Sequence, residues 1–279
     1  MAKTLQQWLD SDVAALRSRP MRWLSEQYFF RDPNRPMYSD PGYFFAPADG
    51  VILYAKRVQP DQSILDIKGR PYSLRTAMRD PDFATESLVV GIFMTFYDVH
   101  VNRIPYAGRL TYRELDPLAT YNFPMVLVER DLLADLPPYT RQADYLFNNQ
   151  RVLNRIFSME LKQSYYVLQV ADYDVDSITP FRLKQHQSFA QNQRFSQIRY
   201  GSQVDLIIPL SDRFRFTVLL EAGTHVEAGM DALVKVTDLF ETQITSWPPR
   251  RSSICCPPPR RRRCRTWSTA PTWASCSTT

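Results

Sequence analysis

Three short stretches of this sequence hold residue types that could do chemistry together. The first is RYGSQVD, Arg199 to Asp205, where a glycine directly precedes a serine between two β-branched, aromatic-rich runs. The chain has only 8 glycines, so one placed before Ser202, in what reads as the middle of a strand, asks for a reason. A serine hydroxyl is a weak nucleophile until a neighbouring base activates it. In a Gly-Ser peptide it has a carbonyl within reach, that of Gly201, and glycine has no Cβ to block the approach. Attack there turns the amide into an ester. Loss of the Ser202 Cα proton then expels the upstream chain as a carboxylate. The dehydroalanine left behind hydrolyses to a pyruvoyl group and ammonia.

That chemistry needs a general base, an orienting carboxylate and donors for the oxyanion. PADG, Pro47 to Gly50, puts Asp49 in a turn entering the strand-like run VILYAKRV. YDVHVNRIP, Tyr97 to Pro105, puts Asp98, His100 and Arg103 at the end of an apolar strand. At period two, Asp98 and His100 share one face. A titratable cluster closing a buried strand is a reasonable place for an active site. Taken singly, each stretch also has an ordinary reading: a turn, an ion pair at a strand end, a bulge. Their combination carries the weight. The chain has 3 histidines, His100, His186 and His225, too few for a multi-histidine metal site, and no metal is expected. His186 and His225 fall in loop-like segments and read as surface residues.

The elements that must position these groups are mostly strands. After Pro33, GVILYAKRV, SILDIKG, SLVVGIFMTFYDVHV, GRLTYREL, RIFSMELK, SYYVLQVADYDV, QIRYGSQVDLIIPL, FTVLLEAG and ALVKV read as strands broken by Pro, Gly, Asp and Asn. Helical pattern is expected at 111–118 and in LFNNQRVLNRI. Residues 4–18 predict an amphipathic helix with Leu5, Trp8, Leu9, Val13 and Leu16 near helical spacing. It either docks on its own domain or lies on a membrane surface with Trp8 and Trp23 at the interface. The fold class expected is α+β: a predominantly antiparallel β core with a short helical N-terminal segment. Residues 1–32 form that segment, 33–240 the main domain and 247–279 a tail.

The tail distorts the composition of the whole. All 4 cysteines lie in it, with seven arginines and no Asp, Glu or Lys. Taking those seven charges from the net +5 leaves the body at about −2. The body therefore has no thiol nucleophile, disulfide or cysteine metal ligand. The abrupt Arg, Pro, Ser, Cys, Trp and Thr composition reads as a shifted reading frame or a disordered extension rather than a nucleic-acid arm, so no nucleic-acid partner is expected. No run reaches the roughly 18 apolar residues of a membrane span. The N-terminus lacks the apolar block of a signal peptide. A cytoplasmic location is expected, with peripheral contact at the inner membrane face as an extension of it.

In order and spacing these segments resemble the phosphatidylserine decarboxylase family of pyruvoyl-dependent enzymes. FFRDPNR then FFAPADGVI is similar to its N-terminal core entry. DIKGRPYSL resembles its Lys-Gly…Tyr-Ser-Leu stretch, and GIFMTFYDVHVNRIPYAG its central motif. LFNNQRVLNRI resembles its Asn-Glu-Arg segment. RYGSQVDLIIP resembles its processing site, and VLLEAGTHVEAGMDALVKV its closing strand pair. The resemblance covers roughly residues 25–236. It departs where Arg103 stands at the family's second central histidine, where Gln150 replaces a carboxylate, and where Gln and Ser replace the glycines usual in QNQRFSQ.

The resemblance implies self-cleavage between Gly201 and Ser202, with Asp49 orienting the base and His100 as first choice for that base. The cofactor would be the pyruvoyl group generated from Ser202, which serves as electron sink for CO2 loss through a Schiff base with the substrate amine. His100 would also supply the proton at the decarboxylated carbon. Lys68, Arg103 and Asp98 are candidates for substrate binding. The substrate implied is phosphatidylserine, giving phosphatidylethanolamine. The rival readings are a soluble relative acting on a free amino acid or intermediate, and an unprocessed, non-catalytic binding module. The implied partners are a phospholipid or amino-acid substrate, the two chains of one precursor and a homodimer.

Overall fold

The computed structural model describes residues 2–37, 39–115, 124–134, 143–172, 177–199 and 202–240. The tail and Gly201 lie outside them. Seventeen strands occur among the described residues, in chain order: β1 Lys3–Thr4, β2 Tyr43–Phe45, β3 Gly50–Val58, β4 Ser63–Ile67, β5 Arg70–Ser73, β6 Ser87–Met94, β7 Val101–Arg103, β8 Gly108–Leu115, β9 Arg151–Ser158, β10 Gln163–Val170, β11 Ile178–Pro180, β12 Gln187–Phe189, β13 Arg194–Ile198, β14 Ser202–Pro209, β15 Phe214–Val218, β16 Thr224–Val226 and β17 Ala232–Asp238. Nine of them make one sheet in the order β1-β16-β3-β6-β14-β10-β9-β8-β12. The pairings are antiparallel throughout. Two three-stranded sheets, β11-β13-β7 and β15-β17-β2, and the β4-β5 hairpin complete the described strands. The expected β-dominated α+β class is what the chain adopts.

The sheet is covered on both faces. On β6, Leu88, Val90, Ile92 and Met94 enter one apolar cluster, while Val89 and Phe93 enter the other. All eight of its residues are buried. A strand covered on both faces has no polar side to show, so it reads as a continuous apolar run instead of an alternation. Gly91 makes room on one face: a Cβ there would meet the Tyr54 ring at 2.3 Å. Gly50 opens β3 at φ 145°, where a Cβ would lie 2.1 Å from the Phe93 carbonyl oxygen. Only glycine fits that approach, which explains the last letter of PADG.

Several sequence expectations are corrected. The SLVVGIFMTFYDVHV run is not one strand. β6 stops at Met94, and the chain turns before β7 resumes at Val101. Gly-Ser is not mid-strand either: β13 ends at Ile198 in one sheet and β14 begins at Ser202 in another. Of the helix expected at 111–118, residues 111–115 belong to β8, where pairing with β9 overrides local pattern. LFNNQRVLNRI divides into the helix Tyr145–Asn148 and the strand β9.

The N-terminal helix is also shorter than its periodicity predicts. It comprises Leu5–Trp8 with a Thr4/Gln7 capping box, followed by a π-helical stretch Leu9–Val13. Trp8, Leu9 and Val13 are buried in the second apolar cluster. The apolar stripe is thus spent on the chain's own core, and Trp8 does not sit at a membrane interface. No helix among the described residues is long and apolar enough to cross a membrane.

Candidate active site

Ser202 is the first residue of β14, a central strand flanked by β6 and β10. It pairs in register with Met94 and is fully buried. Among the described residues its hydroxyl has the Met94 thioether as its one partner, at 3.3 Å, a weak acceptor. Asn102 approaches the same sulfur at 3.6 Å. The nucleophile expected from sequence therefore lies opposite the end of β6, the strand that leads into the central motif, with no strong partner among the described residues.

The turn after Met94 holds the titratable groups. Asp98 Oδ2 accepts from the Thr95 backbone N–H and hydroxyl, both at 2.7 Å. The Thr95 carbonyl in turn accepts from the Asp98 N–H at 3.0 Å and from His100 Nε2 at 2.9 Å. A carbonyl can only accept, so Nε2 carries the proton and the lone pair of the neutral ring sits on Nδ1. That Nδ1 is buried, and among the described residues no atom meets it in hydrogen-bond geometry. Burial pulls His100 down to about 4, more than the Thr95 carbonyl, Asp98 and the Ile198 backbone raise it, so the ring is neutral at physiological pH. Phe29 covers it, with ring centroids 4.1 Å apart. The Ile198 N–H bonds the His100 carbonyl at 3.1 Å, tying the end of β13 to this turn.

His225 is the main correction to the sequence reading. It is not a surface residue but 5% exposed. Its Nε2 donates to Asp98 Oδ1 at 2.6 Å, and its ring stacks on Trp8 at 4.6 Å and 11°. Burial pushes it down, but Asp98 more than offsets this and holds it above its ordinary value. Burial likewise pushes Asp98 up, and His225 with the Thr95 donors outweighs that to hold it below the usual carboxylate range. Asp98 is therefore tied to His225 and Thr95. It shares Thr95 with His100 and does not line up beside it on a strand face.

Asp49 is also engaged otherwise than expected. Arg35 grips it with both prongs, Nη1 to Oδ1 at 2.6 Å and Nη2 to Oδ2 at 2.7 Å. The Ala228 N–H adds a bond at 2.7 Å to Oδ1. Burial lifts the Asp49 carboxyl against the pull of Arg35, while Arg35 itself is held above its ordinary value despite burial. A fork of two charge-assisted bonds plus a backbone donor is the geometry of a carboxylate, and the ion pair is the state we assign. No histidine bonds Asp49.

Arg103 is 5% exposed on β7, donates to the Asn192 carbonyl at 3.1 Å and lies 3.8 Å from Asp32. Its own N–H bonds the Pro47 carbonyl at 2.8 Å, which fastens the central motif to PADG. Lys68 is apart from this cluster. It sits at φ 54° in the β4-β5 hairpin, exposed and paired with Asp144. Sequence reasoning missed Arg35, His225 and Trp8 as members of the site. The FFRDPNR stretch contained Arg35, but nothing in it marked the arginine as a counter-ion.

A buried serine at a strand entrance, a neutral imidazole in the turn after β6 and two buried carboxylates are what the structure gathers here. Comparison with known proteins gives the family. The profile of the phosphatidylserine decarboxylase family matches residues 26–234, and the chain belongs to that family, whose members are carboxy-lyases. It is 28% identical over 211 residues to the phosphatidylserine decarboxylase proenzyme of Cupriavidus pinatubonensis, covering 76% of this chain and 78% of that one. The corresponding proenzyme of Chlorobium phaeobacteroides is 30% identical over 189 residues, covering 67% and 68%. A Methanocaldococcus jannaschii protein named as an archaetidylserine decarboxylase proenzyme is 27% identical over 212 residues, covering 76% and 90%.

Proposed function

We propose that this chain is a precursor that cuts itself between Gly201 and Ser202 and then decarboxylates phosphatidylserine to phosphatidylethanolamine. The observation that carries the reading is His100 Nδ1: neutral, buried, met by no atom in hydrogen-bond geometry among the described residues, and anchored through Thr95 next to the residue opposite Ser202. The residues around Ser202 suit a pyruvoyl group. The position is dry, and its hydroxyl gives up only a thioether contact when it is consumed. In processing, Ser202 Oγ attacks the Gly201 carbonyl, the Cα proton leaves, and the upstream chain departs with its new carboxylate. Bound there, the pyruvoyl group supplies an electron sink for the electrons left by CO2. His100 Nδ1 can take the proton that the substrate ammonium must lose and return it to the carbon that has lost CO2. Phe29 lies against the ring, and the nitrogen is buried. Asp98, fixed by His225 and Thr95, holds the turn that aims His100.

The deciding experiment is intact mass spectrometry under denaturing conditions, alongside CO2 release from phosphatidylserine vesicles. The expected result is two chains divided at 201/202, the second blocked by a pyruvoyl group, with neither cleavage nor CO2 release in Ser202→Ala. A single full-length chain would overturn the reading. It would favour an unprocessed binding module, which the Arg35 grip on Asp49 and Arg103 in place of a second histidine make the specific alternative. Cleavage without CO2 from the lipid, but with CO2 from a free amino acid, would identify the soluble relative.

A further inference from the structure

Away from Ser202, two clefts of about 480 and 470 Å³ meet at the turn of Arg79, Asp80 and Pro81, which lines both. Arg75 and Arg151 line the first, Arg113 and Arg155 the second, and Arg79 both. Asp80 is the one carboxylate among the lining residues. Three of the arginines are occupied: Arg75 with Asp61 and the Phe83 carbonyl, Arg155 with the Ser164 hydroxyl, and Arg113 with the Met78 and Arg79 carbonyls. The Arg113 contacts cap the end of the helix Leu74–Met78.

Arg79 and Arg151 remain. Neither has an ion-pair partner among the described residues. Arg151 is 1% exposed, and among the described residues its guanidinium bonds the carbonyls of Ala77, Leu146 and Phe147 and lies against the Tyr72 side chain. Its Nε and Arg79 Nη2 are buried without a hydrogen-bond partner among the described residues. Burial, joined by the neighbouring Arg79 charge, pulls Arg151 below its ordinary value against the pull of the Tyr72 side chain. Arg79 also stands at φ 46°, left-handed backbone that glycine or asparagine adopts at less cost. Two like charges share a recess whose one carboxylate among the described lining residues, Asp80, pairs with neither, an arrangement that is unfavourable until a counter-ion arrives.

We propose that this recess is a phosphate-binding site, filled by inorganic phosphate or by the phosphate of a lipid headgroup. A planar carboxylate is satisfied by one guanidinium fork. Two guanidiniums, Arg79 and Arg151, line one recess and call for an oxyanion with more acceptor oxygens, and arginine is the residue best matched to phosphate. The site is separate from the residues assigned to cleavage and decarboxylation.

The test is calorimetric titration of the purified full chain with inorganic phosphate, at an ionic strength held constant with chloride. Arg79→Gly removes the guanidinium while easing the left-handed backbone, so it is expected to melt no lower than the wild type in chloride. It should bind phosphate at least tenfold more weakly. Arg151→Lys should also weaken binding, with the melting temperature in chloride reporting whether its fold survives. Heats no different from those of chloride, or an unchanged dissociation constant in Arg79→Gly, would overturn the site.

Flotation on phosphatidylglycerol–phosphatidylcholine vesicles identifies the source. Release by phosphate and loss in Arg79→Gly assign the headgroup. Phosphate binding with vesicle attachment unaffected assigns the free ion. Self-cleavage scored on a gel of the same samples keeps this result distinct from the decarboxylase reading.

Discussion

Asp49 and Asp98 are both buried carboxylates of one site, and each is neutralised by a cation from outside its own motif. Asp49 is held by Arg35, a guanidinium that keeps its charge at any working pH. Asp98 is held by His225, an imidazole that loses its charge when pH rises far enough. One clamp is permanent and the other titrates. The permanent one fastens the N-terminal leg to PADG. The titrating one fastens β16 to the turn that aims His100. The foundation of the site is thus insensitive to pH, while the part nearest the chemistry responds to it.

The largest effect should come from breaking the permanent clamp. Arg35→Met leaves a buried carboxylate without its counter-ion, and urea unfolding should show a loss of about 3–5 kcal/mol. Arg35→Lys should recover only part, because an ammonium cannot form the two-pronged contact. A loss below about 1 kcal/mol would mean that Asp49 is neutral and that the two clamps differ in kind.

Next is Asp98→Asn, which should cost about 1.5–3 kcal/mol as a charged hydrogen bond is lost and should lower kcat with KM little changed. Unchanged kcat would separate the Asp98 clamp from the aiming of His100.

The third test sharpens the contrast by titration. His225 has a raised folded-state value, so its stabilisation is complete below about 6.5 and is lost as pH climbs from there through the higher folded value. Asp98 has a depressed one, so its share is present above about 3.9 and lost as pH falls through the folded value. His100 acts in the other sense from His225. Its folded value of about 4 makes stability fall as pH drops from 6.5 toward 4. Melting temperature against pH should therefore show an alkaline decline that disappears in His225→Gln while the acid decline stays. An alkaline decline persisting in the variant would sink the assignment to His225. The smallest effect belongs to Lys68→Gln, an exposed pair that should move stability by less than about 0.5 kcal/mol and leave cleavage intact.

The sequence was most informative where its signals were local. The unbroken apolar run of β6 and the glycine of PADG each had a physical cause that the structure supplies, burial on both faces and contact with the Phe93 carbonyl. Period-two reasoning failed at Asp98 and His100 because Thr95 and Asp98 close a turn there, and alternation has meaning only within a strand. Helical spacing at residues 4–18 identified the right buried residues, Trp8, Leu9 and Val13, but not how soon the helix ends. The cations of the site were illegible for another reason. His225 meets Asp98 across 127 positions of sequence, and it lies in a three-residue strand too short to show a face. Arg35 stands in an irregular leg where no period applies.

The position of β14 has a consequence for the life of the protein after the proposed cut. The piece beginning at Ser202 is woven through the other at three places: β14 between β6 and β10, β16 between β1 and β3, and β17 beside β2. Cleavage therefore releases nothing, but it changes the order of the refolding reaction. The precursor returns to its fold by a unimolecular path. The cut protein, once denatured, must reassemble from two fragments, at a rate that falls with dilution. Its endurance then rests on the slowness of its unfolding and no longer on reversibility.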